Sequence, residues 1–163
     1  MKNISFTNQD FISEIDSYLR ENRSQGRYEH SLSTANTCRI LARMFSFDQD
    51  KAFFAGLVHD IAREYPEALQ LEYAARDGKP ISEVYRKFPL LLHGRAGAAV
   101  LEEKFGIGDT ELLDAVRTHT TGDRNMSQLG KILFVADYIE PKRKHITPAF
   151  LKKLEKQSLD KMV

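Results

Sequence analysis

The stretch 51-KAFFAGLVHDIAREYP-66 decides how the chain is read. Phe53, Phe54, Ala55, Leu57 and Val58 form an almost uninterrupted apolar run that ends in His59 and, immediately after it, Asp60. Asp48 lies where it can cap a helix carrying that run. A carboxylate packed against such a segment is costly unless something neutralises it. An arginine, a helix end or a metal ion would each do so, and the rest of the sequence has to choose among them.

The chain has 163 residues, 42% of them hydrophobic, which suits one domain with one sizeable core. Its formal charge of +1 argues against a protein built to coat nucleic acid or an anionic membrane. Neither partner is expected, and any anion must be met by a local patch. Cys38 is the only cysteine, so an intrachain disulfide and a thiolate zinc site are both excluded; beside Ile40, Leu41 and Ala42 it reads as a core thiol. The opening MKNISFTNQDF has no signal-like apolar stretch, and no run approaches the about twenty apolar residues of a membrane span. The expected location is the cytoplasm.

Helical spacing recurs along the whole chain, and no stretch alternates as a strand would. Thr7 and Asp10 predict a capping-box start for a helix carrying Phe11, Ile12, Ile15 and Leu19. A second helix is predicted from about Arg27 to Phe45, with Leu32, Ala35, Ile40, Leu41, Met44 and Phe45 along one side. Pro66 suits the start of a fourth helix and Gly78 its end, Pro80 the start of a short fifth, and Pro89 precedes a sixth running to Gly106. Asp109 and Ser127 cap a seventh and an eighth. A ninth begins at Thr147 and Pro148 and continues to the end of the chain. The expected fold is an all-α helical bundle, one domain over 1–163 with its core from about 25 to 145.

Five histidines are present: His30, His59, His93, His119 and His145. His93 shares a helical face with Gly97, Val100 and Leu101, and His119 continues the line of Leu112, Ala115 and Val116. Asp137 lies on the face of Leu129 and Leu133. His145, in KRKHITP, reads as solvated. Taken singly, an inward histidine is more often a core residue bonded to a carbonyl, Asp60 could cap the next helix, and Asp137 could pair with Lys131 or Arg143. Taken together, four inward histidines and two inward aspartates form one polar cluster. Imidazole and carboxylate without thiolate suit divalent iron, manganese or zinc. Adjacent residues on a helix project about 100° apart, so His59 and Asp60 can serve one metal, or bridge two, only where the helix ends.

The order of His30, His59 with Asp60, and Asp137, with His93 and His119 between, resembles the HD-domain phosphohydrolase superfamily. The blocks RYEHSL, GLVHDIAR, LLHGRAGA, RTHTTG and KILFVADYIEPKR resemble its YqeK branch, the symmetrical bis(5'-nucleosyl)-tetraphosphatases, from about Arg27 to Arg143. The resemblance implies an HD-domain bundle with the metal site at its centre. It implies that His30, His59, Asp60 and Asp137 hold a divalent metal, most often iron, with Asp60 also facing the phosphates. His93 and His119, with Thr120, would lie at the phosphates or complete a second metal site, and Arg143 would contact nucleotide. Arg63 stands where many relatives carry lysine, and the chain ends at Val163, short of the further helix and segment usual in such relatives.

Two aspartates and four neutral histidines leave a one-metal site near zero charge and a two-metal site near +2. Arg27, Arg63, Arg95, Arg117, Lys142 and Arg143 lie close in sequence to the ligands and could clamp a phosphate chain. The expected chemistry is metal-assisted hydrolysis of a phosphoanhydride, with diadenosine tetraphosphate giving two ADP. The alternatives are an HD phosphohydrolase for another nucleotide and a non-catalytic nucleotide-binding module; a homodimer stays open.

Overall fold

The computed structural model describes residues 6–143, 146–154 and 156–163; His145 lies outside them. Ten α-helices and one 3-10 turn follow one another, with no strand among the described residues. They are α1 (Gln9–Asn22), α2 (Gln25–Met44), α3 (Gln49–Val58), α4 (Glu67–Ala75), α5 (Glu83–Lys87), the turn Pro89–Leu92, α6 (His93–Phe105), α7 (Thr110–Thr118), α8 (Gln128–Ile139), α9 (Pro148–Leu154) and α10 (Leu159–Met162). No helix among the described residues is long and apolar enough to cross a membrane.

Helix starts follow the caps. Asp48 accepts from the amides of Asp50 and Lys51, Asp109 from Leu112, and Ser127 from Gly130. At α1 the cap is Asn8, whose side chain accepts from Phe11, and not Thr7. Pro80 does not start α5; Ser82 caps it three residues before Tyr85. The predicted ninth helix is two short ones, because the chain turns after α9 and restarts behind Ser158.

Helix α2 packs on α3 and α8, α6 packs on α4 and α7, and α7 closes against α8. The α2–α3 approach is unusually close: a Cβ on Gly56 would stand 2.6 Å from Ala35 Cα. This contact fixes which face of α2 is inward. Thr34, Ala35, Cys38, Leu41 and Ala42 are buried, while Ile40 and Met44, placed on the apolar side by the sequence pattern, are exposed. Burial pushes the Cys38 thiol pKa up, in keeping with a core thiol.

Candidate metal centre

Helix α3 stops at Val58, and the next turn tightens to bonds three residues apart, Ile61 N–H to Val58 O and Arg63 N–H to Asp60 O. His59 and Asp60 therefore stand just past a helix end. Asp60 caps no helix with its side chain; both of its oxygens face histidines. Oδ2 accepts from Arg27 Nη1 at 3.4 Å and lies 3.6 Å from His59 Nε2 and 3.8 Å from His30 Nε2, whereas Oδ1 lies 3.1 Å from His93 Nε2 and 3.6 Å from His119 Nε2. Asp137 Oδ1 is 3.0 Å from His30 Nε2 and 3.8 Å from His59 Nε2. The four histidines and Asp60 are buried, and Asp137 is half-buried.

Each histidine is oriented through its other nitrogen. Nδ1 of His59, His93 and His119 contacts the carbonyl three residues back, of Gly56, Leu90 and Val116, at 2.7, 2.6 and 2.7 Å. Nδ1 of His30 faces Glu140 Oε1 at 3.2 Å. Carbonyls and carboxylates only accept, so the ring proton belongs on Nδ1 and each Nε2 turns a lone pair into the cluster. His93 Nε2 and His119 Nε2 then meet at 3.1 Å, and buried His59 Nε2 has no hydrogen-bond partner among the described residues. Lone pairs aimed at one another and at carboxylate oxygens require positive charge between them. Two trios, His30–His59–Asp60 and Asp60–His93–His119, each have ligand atoms within 4.8 Å of one another. This donor set fits a divalent cation, and the two oxygens of Asp60 fit a bridge between two.

Without an ion, protons on the histidines supply that positive charge. Burial would raise the Asp60 pKa, but His59 and, when a proton stands on Nε2 in place of an ion, hydrogen bonds from His119 and His93 outweigh it and hold it well below the carboxylate range. Burial opposes ionisation of Asp137 too, yet His30 and the neighbouring charges keep it depressed. Burial pushes His59 down to about 4, so its ring is neutral. For His30 and His119 burial acts in the same sense, but the carboxylates of Asp137 and Asp60 respectively prevail and raise them.

A cavity of about 430 Å³ opens over this cluster, lined by Asp60, Asp137, His93, His119 and Thr120, with Arg27, Arg63 and Arg143 and the rings of Phe134 and Tyr138. Thr120 Oγ1 is 3.1 Å from His93 Nε2. Arg143 pairs with Asp137, one of the two pairings open to it, while Lys131 goes to Asp160. Three cations expected at the phosphates are committed elsewhere. Arg95 is buried on Asp77 and the carbonyls of Ala74, Lys79 and Pro80; Arg117 pairs with Asp114 and Lys142 with Glu29. Glu140 was missed. Counting it, three carboxylates surround the four histidines, so one divalent ion leaves the cluster at −1 and two bring it to +1, before Arg27, Arg63 and Arg143 are added.

The HD domain family model matches residues 27–142. A symmetrical bis(5'-nucleosyl)-tetraphosphatase of Staphylococcus aureus is 36% identical over 132 residues, covering 81% of this chain and 68% of its own length. The protein of the same name from Halalkalibacterium halodurans is 36% identical over 125 residues, covering 77% of this chain and 66% of its own. The chain thus spans about two thirds of the length of these relatives. A crystal structure from Clostridium acetobutylicum, of an HD superfamily hydrolase described as involved in NAD metabolism, superposes with a TM-score of 0.85 at 38% identity, covering 93% of this chain and 80% of that one.

Proposed function

We propose that this chain, which belongs to the HD-domain family over residues 27–142, hydrolyses dinucleoside tetraphosphates symmetrically and converts diadenosine tetraphosphate to two ADP. The observation that carries the reading is Asp60, whose two oxygens face two histidine pairs on the floor of a cavity rimmed by three arginines. His30, His59, Asp60 and Asp137 are the proposed ligands of one ion; His93 and His119, with Asp60, hold a second or meet the phosphates directly. Iron is the ion favoured, and the same donors accept manganese or zinc.

A divalent ion held by these ligands would supply Lewis acidity towards phosphate oxygens and would lower the pKa of the attacking water towards neutrality. The remaining work belongs to side chains. Arg143, whose Nε donates to the Asp137 carbonyl at 2.9 Å and which lines the cavity, is the residue proposed to hold one nucleoside diphosphate half; Arg27 and Arg63 offset the charge spread over the phosphate oxygens. Thr120 contributes a hydroxyl at the same wall. The departing nucleoside diphosphate has a second pKa of about 6 and needs little help from a proton donor, so positioning and charge account for most of the catalysis. Holding one half fixes the central anhydride relative to the nucleophile.

Hydrolysis of diadenosine tetraphosphate with iron or manganese, quenched early and resolved by ion-exchange chromatography, tests this. ADP as the sole early product is expected. Equal amounts of ATP and AMP would overturn the symmetrical cut.

A further inference from the structure

His30 is the one histidine of the cluster that cannot be oriented locally. His59 and His119 end α3 and α7, and His93 follows a 3-10 turn, so each finds an acceptor in the carbonyl three residues back. His30 lies inside α2, where the backbone carbonyls are committed to helical bonds. Its Nδ1 meets instead a carboxylate 110 residues away, Glu140 Oε1.

Glu140 is 1% exposed. Pro141 holds the residue before it out of the helical region, so α8 ends here with Glu140 at φ −56° and ψ 144°. The other carboxylate oxygen accepts the Lys142 amide at 2.8 Å, and Oε1 faces His30. These bonds fix its direction. Arg143 Nε pairs with Oε1 only at 3.8 Å, too far for a hydrogen bond, so among the described residues no guanidinium hydrogen-bonds to the buried carboxylate. A buried anion with one long ion pair is only partly compensated, and further positive charge would balance it from the far side of His30, beside Asp60 and Asp137.

We propose that Glu140 is a positioning residue, which holds His30 with its proton on Nδ1 and strengthens Nε2 as a ligand, making the His30–His59–Asp60 trio the first-filled divalent-metal site. The inference rests on the metal-dependent reading of the cluster. The second trio has no counterpart, because both of its histidines lean on backbone carbonyls. A carboxylate behind a ligating imidazole typically contributes ten- to a hundredfold in affinity.

The test is titration of the metal-stripped protein with Mn(II), following free aquo-Mn(II) by electron paramagnetic resonance, on the wild type and Glu140→Gln. The variant should bind its first Mn(II) ten- to a hundredfold more weakly, with the thermal midpoint of the metal-free protein little changed. Unaltered first-ion affinity overturns the proposal, even if the variant is less stable, because Glu140 would then serve packing alone. Should Glu140→Gln fail to fold, long-range ¹H–¹⁵N spectra of the Zn(II)-loaded wild type decide: a proton on His30 Nδ1 supports the proposal and one on Nε2 overturns it. A wild type that binds neither ion removes this proposal and the metal-dependent reading together. Normal metal binding without tetraphosphate cleavage removes only the substrate assignment.

Discussion

Asp60 is asked to do two things at once, and its two oxygens allow it. Removing it should empty both trios. Asp60→Ala is expected to lose bound metal and more than about a hundredfold in turnover while keeping its helical circular dichroism; a full metal complement by elemental analysis would refute the ligand set. His93 and His119 touch only Oδ1 of the same carboxylate. Replacing either with alanine should leave one tightly bound ion and cut turnover strongly, and loss of all metal would mean that the two roles had been divided wrongly. Five of the six inward groups are legible in sequence because each continues or ends an apolar run, whereas His30 lies on no assigned face and enters only through the resemblance. Glu140 is not legible there. One acid before a proline looks like an ordinary turn residue, and only its meeting with His30 reveals a partner. Arg95, Arg117 and Lys142 misled for the converse reason: nearness in sequence to a ligand says nothing about the side of the helix on which a cation emerges.

Elements bring these groups together chiefly by ending in the right place. The caps at Asp48, Asp109 and Ser127 were legible because a short acceptor before an apolar run has a local cause. What local pattern does not contain is how near two helices come. Gly94, next to His93, faces the end of α7, where an added Cβ would stand 2.8 Å from the Val116 carbonyl and 3.3 Å from His119 Nδ1. That carbonyl is the one that orients His119. Gly94→Ala must therefore push α6 off α7 or turn the His119 ring. The expected outcome is a loss of about 1–3 kcal/mol in denaturant unfolding, as for other overpacked sites, together with loss of the ion at the second trio. A variant with unchanged metal stoichiometry would show that the close approach matters to packing alone.

At the scale of the whole molecule, the formal charge of +1 hides a sorted distribution, with Arg27, Arg63 and Arg143 at the cavity and Arg95 and Arg117 turned behind it. Behind the site, Arg95 Nη2 meets Asp77 Oδ1 at 2.6 Å with both side chains largely buried, and Arg117 Nε stands 3.8 Å from the same carboxylate. This knot ties the segment after α4 to α6 and α7, the helices that carry His93 and His119. Burial would raise the Asp77 pKa, but the bonds from Arg95 and the Lys79 amide prevail and hold it below its ordinary value of 3.8. A carboxyl depressed in the folded state contributes stability that is fully present above its unfolded pKa and is lost as pH falls through the folded value. In metal-free protein, Asp77→Asn should therefore cost about 3 kcal/mol at neutral pH, the usual result of stranding one partner of a buried pair. The gap between wild type and variant should hold steady down to about pH 5 and shrink progressively below the ordinary carboxylate value. Denaturant unfolding of both proteins across that range measures it. A gap that persists undiminished in strong acid would mean that Asp77 acts through shape and not through charge. Metal stoichiometry at neutral pH should be the same in both, since Asp77 meets Arg95 and Arg117 and none of the cluster's ligands.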